Sequence, residues 1–264
     1  MKFFEEFFGH EYAFNKYDQI FVHEYNVGAM ENAGVVTFND LYIWKEKVST
    51  EKMLGLANTI SHELSHHWFG NLVTMKWWDD LWLNESFADF ISHFCLEKIK
   101  NNGLKEIQYE SAMLAFLNRK NWGYDEDQRI TTHPIRGPVP NTTVADSIFD
   151  GITYAKGAST MKQLLFIMKE ENFSKGLAAY FKKFAFKNAK LEDFMYEMKQ
   201  VNHSGFDLNS WRELWLEKES LNYLEPIWKP EDKSENAKMQ ILQRPFTEKF
   251  PTLRPHRIKI GFFT

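Results

Sequence analysis

A pair of histidines four residues apart, His62 and His66, constrains this chain more than any other feature of its sequence. The apolar spacing around them predicts a helix. On a helix, positions i and i+4 are about 40° apart and one turn apart along the axis, so the two imidazoles point at the same place. That spacing is typical of two ligands in a tetrahedral zinc site. The alternative interpretation is an amphipathic helix with two surface histidines.

A third ligand is available in Glu85, which follows His66 after 18 intervening residues and falls in the first turn of the next predicted helix. Two histidines and one carboxylate leave the fourth zinc position open, as in catalytic sites. Glu63 lies beside His62 and can reach a water at that position without binding the metal. The sequence therefore predicts one Zn²⁺ per chain, with Glu63 as the general base.

Two further residues near these ligands need an interpretation. Asp89 lies four residues after Glu85 on the same helix face, where a carboxylate can hold the distal nitrogen of a histidine ligand. The alternative for Asp89 is an ordinary solvated helix acid. His67 points about 100° away from His66, so we expect it to pack or to form hydrogen bonds rather than to bind metal.

The periodicity of the rest of the chain predicts a mixed α and β organisation. Two strands surround a turn-prone segment at 26–34, a short extended segment spans 72–78, and a loop spans 120–144. The strands are predicted at 18–25 and 33–39, and the helices at 51–69, 84–100, 104–119, 155–170, 174–187, 190–201 and 207–219. Ser49 or Thr50 is expected to cap the first of these helices, Gly70 to stop it, and 101–103 to stop the second.

The character of the sequence changes after about residue 222. Residues 225–238 are rich in proline and charge, which favours a linker, and 239–246 and 254–263 look like two strands. An apolar last strand without a partner is a liability in a complete protein. We therefore divide the chain into a catalytic domain at 1–222, incomplete at its N-terminus, and a segment at 223–264 that holds a linker and the start of a β-sandwich-like domain.

Charge and hydropathy restrict the class of partner. The formal net charge is -4, so there is no basic footprint for nucleic acid. No stretch approaches 18 apolar residues, so no membrane-spanning segment is expected. The single cysteine, Cys95, and the lack of a signal peptide favour a cytoplasmic location, with a secreted or membrane-anchored full-length form left open.

Three blocks of sequence, in the same order, resemble the aminopeptidase N family, the gluzincin aminopeptidases. The segment HELSHHWFGNLVTMKWWDDLWLNESFADF resembles the zinc-binding core of that family, whose pattern is H-E-x-x-H, 18 residues and E. Gly28-Ala29-Met30-Glu31-Asn32 is similar to its exopeptidase signature, GAMEN, and the similarity implies that these five residues bind the substrate. Tyr154-Ala155-Lys156-Gly157-Ala158 is similar to its Y-x-K-G-A segment.

The resemblance implies roles for these residues. Glu31 would bind the free α-amino group of a peptide, with the backbone of Gly28 and Ala29 along the substrate, and the Tyr154 hydroxyl would stabilise the oxyanion. It also implies an α+β fold, a thermolysin-like zinc metallopeptidase domain with a small β lobe and a mainly helical lobe, followed by the first strands of a truncated β module. The resemblance covers residues 3–222, without the N-terminal β domain and most of the C-terminal helical region of the family.

The function expected from this resemblance is that of a zinc-dependent aminopeptidase, a hydrolase that removes N-terminal residues from peptides with a free N-terminus. Three alternatives remain. An endopeptidase of the same zinc class disagrees with Glu31 in its GAMEN setting. An epoxide hydrolase like the leukotriene-processing relative disagrees with Ala29, where that branch typically has glycine. A catalytically silent fragment or interaction module disagrees with the presence of every catalytic group.

Overall fold

A computed structural model of the chain describes residues 1–99, 107, 109–230 and 237–261. The described part is an α+β fold, as expected, with helices around three small sheets. The helices are α1 (Lys2–Phe8), α2 (Thr50–Ser65), α3 (Leu81–Lys98), α4 (Ala112–Asp127), α5 (Thr142–Ser147), α6 (Gly157–Met168), α7 (Glu170–Phe184), α8 (Leu191–Gln200) and α9 (Leu208–Trp211). Two π-helical turns, Ile152–Lys156 and Arg212–Leu216, adjoin α6 and α9.

The strands form one sheet of three and two pairs. They are β1 (Asp18–Val22), β2 (Ala29–Met30), β3 (Val35–Asn39), β4 (Val73–Met75), β5 (Lys187–Ala189), β6 (Asn222–Pro230) and β7 (Ala237–Pro245). In the first sheet β3 is central, parallel to β1 and antiparallel to β2. The strands predicted at 18–25 and 33–39 are confirmed as β1 and β3. The predicted turn between them contains β2, a two-residue strand that pairs Ala29 with Phe38.

Helices α2 and α3 form the centre of the molecule. The Ser49 side chain caps α2 by accepting from the Lys52 backbone N–H at 3.3 Å. The helix ends at Ser65, earlier than predicted, and a tight turn follows to Gly70, whose φ of 125° suits glycine. Helix α3 is buried along almost its whole length and packs against α2, α4 and α6. Burial on several sides fixes the rotation of α3, and with it the direction of each side chain.

An aromatic cluster ties the N-terminal segment to this centre. Helix α1, to which the sequence patterning assigns no element, buries Phe4, Phe7 and Phe8 and ends at Gly9 in the left-handed conformation. The ring of Phe8 lies 5.4 Å from that of Trp68, and Phe69 stacks on Phe87 of α3. Since Trp68 and Phe69 lie in the turn that follows α2, their burial fixes the end of α2 at the two histidines.

The structure corrects several boundaries. Helix α4 runs to Asp127, so the first eight residues of the predicted loop at 120–144 are helical. Part of the helix predicted at 104–119 lies outside the described residues. The predicted stop at 101–103 and residue 100 also lie outside them. The helices predicted from 155 onward are confirmed with ends that differ by a few residues, and the extended segment at 72–78 is a strand only at β4.

The prediction of a linker at 225–238 is wrong for residues 225–230, which form most of β6, and for 237–238, which begin β7, because the two strands pair antiparallel. Residues 231–236 of that segment lie outside the described part of the chain. Prolines are tolerated here because each strand of a two-stranded sheet has a free edge. The strand predicted at 239–246 corresponds to β7. Residues 254–261 of the last predicted strand are irregular, and 262–263 are not described. The two-domain division stays a prediction.

No helix in the described ranges combines the length and the apolarity that crossing a bilayer requires.

Close packing of α6 on α3 gives a stability prediction. A methyl group added at Gly157 would collide with the Ser86 side chain, whereas one added at Gly55, on the exposed face of α2, would meet nothing within 4 Å. We expect Gly157→Ala to lower the free energy of unfolding by about 1–3 kcal/mol through overpacking. We expect the matched control, Gly55→Ala, to raise it by roughly 0.5–1 kcal/mol. Urea unfolding of the three proteins measures both changes, and a Gly157→Ala variant as stable as the parent would contradict the packing.

Candidate metal centre and catalytic cleft

Helices α2 and α3 bring the three predicted metal ligands together. The Nε2 atom of His62 lies 3.5 Å from Oε2 of Glu85, and Nε2 of His66 lies 3.6 Å from the same oxygen. The three potential ligand atoms all lie within 4.8 Å of one another. Ligand atoms at zinc–nitrogen and zinc–oxygen bond lengths in a tetrahedral site are separated by roughly 3.3–3.5 Å. Donor types and spacing therefore both fit zinc.

The orientation of His66 leaves the correct nitrogen for a metal. Its Nδ1 lies 3.1 Å from the carbonyl oxygen of Phe69 and 2.8 Å from Oδ1 of Asn84. A carbonyl oxygen only accepts, so Nδ1 carries a hydrogen, and Nε2, on the side of Glu85, is the nitrogen available to a metal. Glu31, Glu63 and His66 form a second possible ligand group. In that group the carboxylate of Glu31 faces the Nδ1 side of His66, which makes the first group the better metal site.

Asn84 is a site residue to which the sequence patterning assigns no role. Its amide oxygen accepts from His66, while its Nδ2 donates to Glu31 at 3.3 Å and to Glu85 at 3.4 Å. One side chain thus orients two potential ligands and the predicted amine anchor. Gly70 makes room for it, because a Cβ at that position would lie 2.5 Å from the Asn84 oxygen. The available signal was its position directly before Glu85.

The electrostatics of the pocket favour a cation. Burial lowers the pKa of His66, but the carboxylates of Glu31 and Glu85 outweigh burial and raise that pKa well above its usual value. Burial alone would raise the pKa of Glu85, and the two imidazoles reverse this and hold it well below its usual range. The charged form of each group is stabilised by its partners, which is the environment a divalent ion would find.

Glu63 differs from its neighbours because it is buried without a bonding partner. Burial raises the pKa of this carboxyl group to about 7, and His62 and His66 oppose that rise. Its Oε2 atom makes no hydrogen bond to any described residue. A buried carboxylate oxygen without a partner is costly unless a ligand or water satisfies it. Its position beside the ligands suits a group that accepts a proton.

The GAMEN segment forms one wall of the cleft. Gly28, Ala29, Met30 and Glu31 line it, at the edge of the first sheet. The Glu31 carbonyl accepts from Nδ2 of Asn71 at 2.7 Å, and its carboxylate lies 3.8 Å from Nδ1 of His66.

Asn32 departs from the prediction of a substrate-binding residue. Its side chain is exposed and donates to Oγ1 of Thr37 at 3.2 Å, and it is absent from the cleft lining. The backbone turns after Glu31, so Asn32 stabilises the turn instead.

Tyr154 lies on the opposite wall, in the π-helical turn before α6. Its ring stacks on that of His62 at 6.4 Å and on that of Trp122 at 5.8 Å. Burial, followed by the charge of Glu85, raises the pKa of the phenol far above its usual value. The hydroxyl therefore keeps its proton and can act as a hydrogen-bond donor.

The structure contradicts the proposed contact between Asp89 and a histidine ligand. Both carboxylate oxygens of Asp89 accept from Nε of Arg119, at 3.2 and 3.0 Å, while Asn84 and the Phe69 carbonyl hold His66. Asp89 points one turn further along α3 than Glu85, toward α4, because a helix offset of four residues also moves the side chain along the axis.

His67 behaves as expected. Its ring donates through Nδ1 to the carbonyl of Glu63 at 3.2 Å and accepts through Nε2 from the N–H of Gly34 at 3.3 Å. It is a buried link between α2 and the first sheet.

These groups share a cleft of about 600 Å³ that ends between α2, α3 and α4. Its polar residues are the three ligands, Glu31, Glu63, Asp89, Arg119 and Tyr154, with Tyr42, Asn58, Thr59 and His93 around them. A cleft with a metal triad, an unpartnered carboxylate and a phenol donor is the arrangement of a metallohydrolase.

Comparison with known proteins identifies the family. Residues 1–215 match the Peptidase family M1 domain. The chain is 44% identical to "Aminopeptidase N" of Streptomyces lividans over 266 residues, which cover 98% of this chain and 30% of that protein. It is 37% identical to "Aminopeptidase 2, mitochondrial" of Saccharomyces cerevisiae, over 83% of this chain and 22% of the relative. It is 39% identical to "Glutamyl aminopeptidase" of Sus scrofa, over 76% of this chain and 21% of the relative.

The chain belongs to peptidase family M1, whose members are zinc-dependent in general. It spans less than a third of the length of these relatives.

A histidine–aspartate pair supports the turn that carries Tyr154. The side chain of Asp150 accepts from the backbone N–H groups of Ile152 and Thr153, at 2.9 and 3.2 Å, and so caps this turn. His133 reaches Asp150 through Nε2 at 3.0 Å and the carbonyl of Pro134 through Nδ1 at 2.7 Å. Both partners are acceptors, so the ring satisfies them only when it is doubly protonated.

This pair predicts a pH-dependent contribution to stability. Burial lowers the pKa of His133, but Asp150 outweighs it and the net shift is upward, against an opposing effect of Lys156. A raised folded-state pKa gives stability that is complete below the unfolded pKa of about 6.5 and is lost as pH rises through the folded value. We expect His133→Gln to destabilise the protein more at pH 6 than at pH 9 in urea unfolding. The exposed His203→Gln is the control, and an equal cost of His133→Gln at both pH values would contradict the charged pair.

Proposed function

We propose that this chain carries the catalytic centre of a zinc-dependent aminopeptidase, which hydrolyses the first peptide bond of peptides with a free N-terminus. One observation carries the proposal. The carboxylate of Glu31 lies in the same cleft as the ligand triad, 3.8 Å from the ring of His66. A carboxylate this close to the metal position can bind an ammonium group only if the reacting bond is the first of the chain. The names of the relatives agree with this reaction.

In this proposal His62, His66 and Glu85 hold one zinc ion per chain. Zinc at this position would polarise the scissile carbonyl and lower the pKa of the attacking water. Asn84 and the Phe69 carbonyl keep the His66 ring oriented, so that its Nε2 is available.

The proton transfers belong to Glu63. Its unpartnered, buried carboxylate takes a proton from the attacking water and delivers it to the leaving amine, so one group acts as base and then as acid. The Tyr154 hydroxyl, kept protonated by its raised pKa, donates a hydrogen bond to the oxyanion of the tetrahedral intermediate. Glu31 fixes the ammonium group, which aligns the first carbonyl with these groups.

An endopeptidase of the same zinc class is the second candidate function. The GAMEN segment forms an exposed wall of the cleft, which is compatible with an endopeptidase. The hydrogen bonds from Asn71 and Asn84 hold Glu31 in place, which favours a fixed anchor for the substrate amine and therefore an aminopeptidase. The cytoplasmic location, with a secreted or membrane-anchored full-length form left open, stays a prediction.

The role of Glu63 gives the first functional prediction. We expect Glu63→Ala to bind zinc with the parent stoichiometry and to lose activity by about 10²- to 10⁴-fold, the range for a general base. Metal analysis of the purified protein and initial rates on a free-amine peptide measure the two properties. Glu85→Ala is the matched control, for which we expect the loss of both zinc and activity. Retained activity in zinc-loaded Glu63→Ala would refute the assigned role.

The role of Glu31 gives the test of the proposed function. On one zinc-loaded sample we expect cleavage of a free-amine peptide and no cleavage of its N-acetylated twin. Glu31→Gln should lower kcat/KM for the free-amine peptide by roughly 10- to 100-fold, because a hydrogen bond between charged groups is lost.

Each other outcome has a definite meaning. Cleavage of both peptides would support the endopeptidase. Cleavage of neither, with one equivalent of zinc bound, would refute aminopeptidase activity for this chain and favour a silent fragment or interaction module.

A further inference from the structure

Arg119 is a charged residue of the cleft that the proposed mechanism does not use. Among the described residues that line the cleft, it is the only lysine or arginine. Its Nε is bonded to both oxygens of Asp89, whose side chain is only 3% exposed. Its two terminal nitrogens make no hydrogen bond to any described residue, and its side chain is 37% exposed. One edge of the guanidinium group is thus anchored and the other is available.

The guanidinium group is held as a rigid plane. Its carbon lies 4.3 Å from the ring centre of Trp122 and 5.7 Å from that of Tyr154. Together with the Asp89 contact, these stacking interactions remove most of the rotamer freedom that an arginine would otherwise lose on binding a ligand. Pre-organisation of this kind is typical of a recognition residue.

Arg119 and Glu31 contact different residues of the candidate site. Successive contacts lead from Glu31 to His66 at 3.8 Å and from the His66 ring to the His62 ring at 4.6 Å. They continue from His62 to Tyr154 at 6.4 Å and from Tyr154 to Arg119 at 5.7 Å. A peptide with its amine at Glu31 and its first carbonyl near Tyr154 would then have its second residue available to Arg119, whose guanidinium carbon lies 5.7 Å from the Tyr154 ring.

The charge balance indicates what Arg119 can bind there. Asp89 cancels much of its net charge, but the free edge still presents two parallel N–H donors, which match the two oxygens of a carboxylate. The carboxylates of Glu85 and Asp89 would repel an anion at other positions in this part of the cleft. A carboxylate is therefore favoured only where both of its oxygens can accept from the two free N–H groups of Arg119.

We propose that Arg119 binds a carboxylate on the residue that follows the scissile bond, so that the chain prefers dipeptides or peptides with an acidic second residue. The inference rests on the proposed aminopeptidase function. The two sources of the carboxylate, a C-terminus or an acidic side chain, share the same chemistry and are separated by experiment.

The test compares kcat/KM for Ala-Ala, Ala-Ala-amide and Ala-Asp-amide on the zinc-loaded protein. If the C-terminal carboxylate reaches the guanidinium group of Arg119, we expect kcat/KM for Ala-Ala to exceed that for Ala-Ala-amide by at least about tenfold. If the acidic side chain reaches it, we expect kcat/KM for Ala-Asp-amide to exceed that for Ala-Ala-amide by the same factor. Arg119→Gln should bring both ratios close to one, and Arg119→Lys, which keeps the charge without the fork, should give intermediate ratios. Each ratio compares two substrates on the same protein, so a general loss of activity caused by a disturbed Tyr154 cancels.

The neighbouring cation of α4 supplies the matched control. Lys120 lines a separate cavity with Lys162, so Lys120→Gln should leave both ratios unchanged. Ratios near one in the parent protein, or ratios that persist in Arg119→Gln, would overturn the proposal.

A second measurement separates this inference from the proposed function. Calorimetric titration of zinc-loaded Glu63→Ala with Ala-Ala and with the two amides gives ratios of Kd that require no turnover. We expect the same preference as in the kinetics, and its loss in Glu63→Ala/Arg119→Gln. If the parent hydrolyses none of the three peptides, aminopeptidase activity fails, and the Kd ratios alone decide whether Arg119 recognises a carboxylate.

Discussion

The packing of α2 on α3 is the constraint on which the rest of the structure depends. Neither helix can form the site alone, because α2 and the residue directly after it supply His62 and His66, and α3 supplies Glu85. The register between them is fixed away from the site, by the Trp68 and Phe69 rings after α2 and by the stacking of Phe69 on Phe87 of α3. Because interiors are closely packed, a small shift of these rings would move the ligand atoms apart. The large aromatic core thus serves the geometry of a small polar site.

The polar residues of that site are stabilised as a network rather than as separate pairs. Asn84 contacts His66, Glu31 and Glu85 at once, so the orientation of a potential ligand and that of the amine anchor are coupled through one amide. In a buried environment a network of this kind is stable only when all its members are satisfied. Glu63 is the exception, with an unpartnered oxygen and a raised pKa. Glu63 is the proposed general base, a role that requires a reactive carboxylate rather than one stabilised by hydrogen bonds.

Sequence reasoning predicted the parts of this structure that depend on short-range spacing. The positions of His62 and His66 follow from helix geometry, and Glu85 from its place at the start of the next helix. The contacts of Asp89 were predicted wrongly, because its partner Arg119 is 30 residues away and nothing local indicates that α4 packs beside it. The same limit explains the missing role of Asn84 and the unassigned helix α1, whose phenylalanines are informative only once the core is known. Composition misled the prediction at β6, where prolines occupy a strand with a free edge.

In the proposed function, the arrangement of charge along the cleft would let one small site select for the end of a peptide. Glu31 lies beside His66 and Arg119 beside Tyr154, so an anionic and a cationic side chain contact different parts of the site. Each is fixed by a side chain that takes no part in the proposed proton transfers, Asn84 for Glu31 and Asp89 for Arg119. A substrate whose charges match both groups would be oriented before reaction, which is the main contribution that positioning makes to rate. The carboxylate of Asp89, which the sequence suggested as support for a metal ligand, holds Arg119 instead.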